Sequence, residues 1–384
     1  MIKVLQTNFH PYQEGQSGGH TSYVRSVVES KLSNEFTFAI AAPEKSAVWQ
    51  YGQKLNLPTF ACDFPGNIRE IPQIIRAVRR FEEIYREWKP DLIHLNGSRD
   101  QSIAVWWKHF YGHRNVPLVR AHLAVRCIPD NIYHRWCYNK MVEGHIYISH
   151  SAKNISQAGS FLKPPNSRVI AVGVDLEHWQ PQPKDPAYLE KYGLKPDDFV
   201  FGSHAGMGWH KRTDLFLQGA ALALKQGCRP FKILLRGKSY EMEHSARLAA
   251  ELGLSANMVY VQYEPDPRCY LSLIDVGFLL SEAIEAISFA ARELMSMGKP
   301  LISTNYAGLV ENVDDGLNGR IVECGNAEDV AESIAWFLKL DPAKLDQLRK
   351  NARAKAEAVF GIDRQADGIA GVYRKAIALN KKGF

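Results

Sequence analysis

Short runs of β-branched and aromatic residues alternate with amphipathic helical stretches, and this alternation passes through the chain twice. In the first pass, Ile2–Leu5, Phe36–Ala41, Leu92–Leu95, Leu118–Ala121 and His145–Ile148 read as buried strands. The helical segments Thr21–Leu32, Ile71–Trp88 and Ser102–Phe110 lie between them. The pattern restarts near residue 199 with Phe199–Ser203, Lys232–Arg236, Met258–Val261, Val276–Leu280 and Pro300–Ser303 as strands. Its helices are Asp214–Lys225, Glu241–Leu252, Phe289–Met297 and Ala327–Leu338. Strand–helix alternation of this kind predicts a parallel sheet with helices on both faces. Two passes predict two such sheets. The stretch Gly173 to Pro196 between them carries Pro181, Pro183 and Pro186, the punctuation of a linker. The predicted domains are therefore 1–175 and 176–363, with a helical segment 364–384 after the second sheet is complete. A chain of 384 residues with 46% hydrophobic content is long enough to fill two cores.

Composition narrows the function classes. The net charge of +6 permits an anionic ligand without demanding one. Six scattered cysteines with no CxxC pair predict reduced thiols rather than a zinc site or disulfides. The start of the sequence reads as a strand, not as a signal peptide. No apolar run is long enough to span a bilayer. The expectation is a cytoplasmic protein, at most peripheral at the inner face of the membrane, with no nucleic-acid partner. The stretch 106–153 is rich in basic and aromatic residues and has only Asp130 and Glu143 as acids. It reads either as a surface for an anionic lipid or acceptor, or as a solvated basic layer over buried aromatics.

Open parallel sheets bind ligands at the carboxyl ends of their strands, so the candidate residues are sought there. Gly18-Gly19 lies at the first strand-to-helix turn, where backbone amides and a helix N-terminus can approach phosphate. His122 closes the strand Leu118–Ala121. The turn Gly206-Met207-Gly208-Trp209-His210-Lys211-Arg212 follows the first strand of the second pass and carries two adjacent cations, which either serve a leaving diphosphate that needs positive charge or belong to an ordinary solvated basic loop. Glu285 and Glu293 are separated by seven residues, with the second on a helix. That places Glu293 roughly 6–8 Å along the axis from the helix start, about one ribose from a phosphate held there. Alternatively, Glu285 favours the positive helix end and Glu293 pairs with Arg292 or Lys299; spacing alone does not choose. No metal-ligand spacing, GxSxG or GxGxxG motif occurs where it would be needed, so neither a cofactor nor a metal is expected.

In this order and spacing, the motifs resemble family 4 of the retaining GT-B glycosyltransferases, the glycosyl transferases group 1. Gly18-Gly19-His20 is similar to the family's glycine loop, and Lys89-Pro90-Asp91-Leu92-Ile93-His94 to its PDxIH strand. Val172-Gly173-Val174-Asp175 is similar to the GVD at the domain junction, and Lys211-Arg212-Thr213-Asp214 to the basic turn. Glu285 and Glu293 are similar to the E-x7-E pair. The resemblance implies an α/β GT-B fold, two Rossmann-like doubly wound domains facing each other across a cleft, with the last helix packing back on the first, acceptor-binding domain. It implies catalytic roles for His122, Lys211 and Glu285, and donor binding by Gly18, Gly19, Arg212, Ser288 and Glu293. The implied partners are a nucleotide-sugar donor and a glycan, lipid-linked or small-molecule acceptor. Two departures stand out. Ala205, Gly206 and Met207 occupy the region of the family's usual arginine, leaving His210 or Arg212 to compensate, and Ala286 and Ser288 replace glycines after the first glutamate. An epimerase or phosphorylase on the same fold, or a non-catalytic sugar-nucleotide binder, is the alternative.

Overall fold

The computed structural model describes residues 1–10, 18–67, 69–158, 162–262, 264–283 and 285–381. Ile284 in the acidic loop and residues 382–384 of the last predicted segment lie outside them. The chain divides into two compact units: Met1–Gly173 with Ile362–Phe384, and Val174–Gly361.

The first unit is built on a seven-stranded parallel sheet. Its strands are β1 (Ile2–Thr7), β2 (Phe36–Ala42), β3 (Thr59–Ala61), β4 (Leu92–Leu95), β5 (Leu118–His122), β6 (Gly144–Tyr147) and β7 (Ser167–Val169), in the spatial order β3-β2-β1-β4-β5-β6-β7. Every residue of β4, β5 and β6 is buried, as expected of a parallel sheet covered on both faces. The helix Ile71–Trp88 turns Ala77, Phe81 and Ile84 into the core. It ends where Lys89 adopts a left-handed conformation (φ 51°) and Pro90 prevents another turn.

Local capping explains where observed helices differ from the predicted ones. The segment Thr21–Leu32 forms a helix only over Gly19–Val28. Ser30 is extended and its hydroxyl caps a separate short turn, Lys31–Asn34. The helix predicted from Ser102 starts earlier, at Ser98, because the Asp100 carboxylate accepts hydrogen bonds from the amides of Asn96 (2.9 Å) and Gly97 (3.0 Å). The last helix, Ile362–Lys381, packs within the first unit. Its Tyr373 lies edge-on to Phe36 and donates to His94 Nδ1 at 2.5 Å.

The second unit carries a six-stranded parallel sheet. Its strands are β8 (Val200–Ser203), β9 (Lys232–Arg236), β10 (Met258–Val261), β11 (Val276–Leu279), β12 (Leu301–Thr304) and β13 (Gly319–Val322), in the order β10-β9-β8-β11-β12-β13. Phe216 of the helix Thr213–Lys225 stacks on Phe278 of β11, ring centroids 3.7 Å apart and planes within 5°. Both rings are fully buried beside Phe201. The helix Pro342–Val359, which the sequence reading did not separate out, is capped by Asp341, whose carboxylate accepts from Lys344 N at 2.8 Å.

The stretch 106–153 does not form one continuous basic surface. Trp107, Lys108 and Arg120 are buried, and Lys108 forms a buried ion pair with Glu143. Phe110, Tyr111 and Ile132 are the large apolar side chains of the stretch that face solvent. All six cysteines are free thiols. Among the described residues, no helix is long and apolar enough to cross a membrane.

Removing one ring of the Phe216–Phe278 stack empties space that the surrounding close-packed side chains cannot refill. Phe216→Ala is expected to destabilise the second unit by about 3–5 kcal/mol. Urea unfolding followed by near-ultraviolet circular dichroism checks this; a loss near zero would mean that the stack contributes nothing to stability.

Candidate functional site

In the second unit, β8 and β11 are paired neighbours, so the loops that leave their carboxyl ends lie side by side. The loop after β8 ends in a short turn, Trp209–Lys211, closed by the Lys211 amide on Gly208 O at 2.7 Å. Lys211 Nζ bonds the carboxylate of Glu285, 74 residues on, and Ser281 Oγ bonds the same carboxylate at 3.3 Å. Arg212 contacts both Asp214 (3.1 Å) and Glu282. Its backbone is left-handed (φ 50°, ψ 44°), a conformation disfavoured for a residue with a Cβ and one that clusters at functional sites. The helix Thr213–Lys225 begins at once, with Arg212 as its uncapped N-cap. Burial, followed by the neighbouring Lys211 ammonium, lowers the pKa of His210 from its ordinary value. At neutral pH His210 therefore offers hydrogen bonds and not charge.

Glu293 lies one turn into the helix Phe289–Ser296, and Ser288 caps that helix by accepting from Ala291 N at 3.2 Å. The Glu293 carboxylate meets His204 Nε2 at 3.2 Å, and His204 Nδ1 is 2.6 Å from the Tyr270 hydroxyl. Neither partner suggested by sequence spacing is used. Arg292 is buried over the Phe360 ring and bonds Asn312, and Lys299 is buried on Ser272 O. His204 and Tyr270 were missed by sequence reading; the available signal was that His204 directly follows β8. A depression of about 980 Å³ beside the basic loop is lined by residues including Trp209, His210, Tyr240, His244 and Glu282. A second hollow, of about 650 Å³, lies at the opposite strand ends, where Asp275 is already neutralised by Lys184 and Arg349.

The first unit holds the other predicted residues. Gly18 caps the helix Gly19–Val28 with its carbonyl, accepting from the amides of Thr21 and Ser22. Among the described residues, a Cβ at Gly18 or Gly19 would meet nothing within 4 Å, so packing against them does not require glycine at either position. What the pair supplies is open backbone. His122 is buried, stacked on Tyr147 at 4.2 Å, with Nε2 3.2 Å from His145 Nδ1. His145 donates from Nε2 to Tyr138 O at 3.1 Å, so its Nδ1 accepts and His122 Nε2 donates. The lone pair of His122 is then on Nδ1. The structure thus brings Lys211, Arg212 and Glu285 into one charged cluster, with Ser288 and Glu293 on the adjoining helix. Gly18, Gly19 and His122 all belong to the first unit, with no contact between His122 and the glycine pair among the described residues.

These observations define an α/β protein of GT-B architecture, two doubly wound parallel sheets, the second with charged loops at the carboxyl ends of its strands. Residues 184–355, which lie within the second unit, match the family model Glycosyl transferases group 1. EpsD from Bacillus subtilis (strain 168) is 27% identical over 218 residues, a match that spans 56% of this chain and 56% of that protein. A lipopolysaccharide core biosynthesis mannosyltransferase, LpcC from Rhizobium leguminosarum bv. viciae, is 22% identical over 329 residues, covering 83% of this chain and 88% of that one. The solved structure of HepE from Anabaena in complex with UDP superposes with a TM-score of 0.79 at 19% identity, covering 97% of this chain and 100% of that chain.

Buried neutral imidazoles make the first unit sensitive to acid. Burial holds His20 and His94 at about 3 and His145 at about 4, and it lowers His122 well below the ordinary value. Unfolded, these groups titrate near 6.5. Below that pH the unfolded chain binds more protons than the folded one, so stability falls with pH until the folded values near 3–4 are reached. The urea midpoint is expected to be lower at pH 5 than at pH 7.5, and His94→Gln is expected to flatten that slope. A midpoint independent of pH across this range would contradict the assignment of neutral buried rings.

Proposed function

We propose that the chain is a retaining glycosyltransferase that moves a hexose-type sugar from a UDP- or GDP-sugar to a hydroxyl of a glycan, lipid-linked or small-molecule acceptor. The observation that carries this reading is the Lys211–Glu285 pair beside Glu293, at the carboxyl ends of β8 and β11 in a group 1 domain. HepE was solved with UDP, which supports a nucleotide diphosphate donor.

In this mechanism the bond between the anomeric carbon and the donor phosphate breaks, and negative charge grows on the leaving diphosphate. Lys211 and the N-terminal amides of the helix Phe289–Ser296 stabilise that charge, so no metal ion is required. Arg212 holds the loop through Asp214 and Glu282 and adds positive potential beside the diphosphate. Glu285 moves from Lys211 to the transferred sugar as the diphosphate takes its place. Glu293, aligned by His204, accepts hydrogen bonds from the ribose hydroxyls. Ser288 fixes the start of the helix, while the open amides of Gly18 and Gly19 meet phosphate and His122 contacts the donor sugar. The acceptor oxygen forms its new bond on the face the diphosphate leaves, and its proton passes to a departing phosphate oxygen. This front-face route retains configuration without a protein nucleophile. The acceptor is assigned to the first unit. A cytoplasmic location with peripheral contact at the inner membrane face, through exposed Phe110, Tyr111 and Ile132, completes the reading.

Incubating the protein with a panel of nucleotide sugars, with and without acceptors, and reading the anomeric configuration by NMR tests this function. Inverted product would end the retaining assignment. Lys211→Ala is expected to lower turnover by roughly two to three orders of magnitude, and an unchanged rate would remove Lys211 from the mechanism. Activity is expected to persist in excess EDTA; abolition by the chelator and recovery on adding a divalent cation would contradict metal-free transfer.

A further inference from the structure

Arg120 is the penultimate residue of β5, and its side chain is 8% exposed. Its guanidinium donates through Nη1 to Leu95 O at 3.3 Å and also hydrogen-bonds the Tyr138 side chain, while its buried Nε has no hydrogen-bond partner among the described residues. Among the described residues, no carboxylate forms an ion pair with it. Asp100 is the acid whose charge it feels, but that carboxylate is committed through Oδ2 to the Thr7 hydroxyl (2.5 Å) and the amides of Asn96 and Gly97. Four neighbouring imidazoles, His20, His94, His122 and His145, also feel the Arg120 charge and are held neutral by burial, so none adds a second positive charge beside it.

A buried guanidinium without an anion is costly, and such groups are ordinarily paired. The position also matters, because strand carboxyl ends are where open parallel sheets hold ligands. Other buried polar atoms of this unit also lack partners among the described residues, including Asn8 Nδ2 at the end of the first strand, His20 Nδ1 and Asp100 Oδ1. A planar fork with a free N–H suits the two oxygens of a carboxylate or phosphate.

We propose that Arg120 is the receptor for an oxyanion, a phosphate or carboxylate group, carried by the acceptor substrate. Calling the oxyanion part of the acceptor rests on the glycosyltransferase reading, in which the group 1 match at residues 184–355 assigns the donor to the second unit. The anion site itself rests on the burial of Arg120, its unpartnered Nε and the lack of an ion pair to it among the described residues. A glycan or lipid-linked acceptor bearing phosphate or uronic acid fits it, and a neutral sugar leaves the charge uncompensated.

The test uses the full chain saturated with UDP, so that any diphosphate site is already filled. Glycerol phosphate and glucuronate are the probes, titrated by calorimetry into wild type, Arg120→Met and Arg120→Lys. At least one probe is expected to bind wild type and to lose about tenfold or more in affinity on Arg120→Met. That probe is also expected to raise the unfolding temperature of wild type but not of the Met variant. Should Arg120→Met fail to fold, Arg120→Lys keeps the charge and loses the fork, and several-fold weaker binding is expected of it. Failure of both probes to bind wild type, or equal binding by the variants, overturns the proposal. UDP affinity is expected to be the same in all three proteins. Oxyanion binding by a wild-type protein that ignores every nucleotide sugar would sink the glycosyltransferase reading and leave the anion site standing.

Discussion

The pairing of β8 with β11 is the contact on which the second unit's charged site depends. Residues 211 and 285 are 74 positions apart, and only the crossover that sets these two strands side by side lets a lysine from one loop reach a glutamate from the other. The same crossover opens the sheet order at that point, so the loops diverge to opposite sides and leave room between them. The first unit repeats the device with β1 and β4, whose ends deliver Asn8 and Asn96 to one edge of the sheet. Strand order, rather than any single motif, gathers the chemistry in both units.

Much of this was legible because the strands are buried on both faces. Leu92–Leu95, Lys232–Arg236 and Met258–Val261 match the predicted strands residue for residue, and so does the helix Ile71–Trp88. Continuous apolar runs and an amphipathic period leave little freedom there. The strands Thr59–Ala61, Ser167–Val169 and Gly319–Val322 were not legible. They are edge elements three or four residues long, carrying Thr, Ser, Arg and Gly, and pairing with a neighbour rather than local preference makes them strands. The helix Pro342–Val359 had its signal, an Asp-Pro start, but its weakly apolar face carries little period.

The site was legible in its residues and not in its pairings. Spacing left two readings open for Glu293, a ribose contact or a pairing with Arg292 or Lys299. A helix turns by 3.6 residues, so adjacent side chains face different ways. Arg292 points into the core beneath Phe360, while Glu293 turns outward to His204. Arg212 and His210 were alternatives for the missing arginine, and the structure separates them physically. His210 is held neutral by burial beside Lys211, whereas Arg212 keeps its charge through Asp214 and Glu282. Lys108 and Arg120, counted as basic surface, are interior, because a sequence shows the sign of a charge but not which face of the sheet it takes.

The two units treat charge in opposite ways, and the difference bears on how each can select a ligand. In the second, Lys211 and Arg212 are matched by Glu285, Glu282 and Asp214. A diphosphate entering there must exchange with carboxylates already in place, so binding depends on making better contacts than the internal ones. An exchange of this kind favours a ligand that also satisfies Glu293 and rejects a bare anion that does not. In the first, Arg120 stands among neutral rings, with Asp100 within reach of its charge but no ion pair to it among the described residues. An anion there has no ion pair among the described residues to break, and a charge in a low-dielectric setting attracts it more strongly than one in water. Selectivity at Arg120 then comes from access and shape, set by the buried side chains around it, and not from competition.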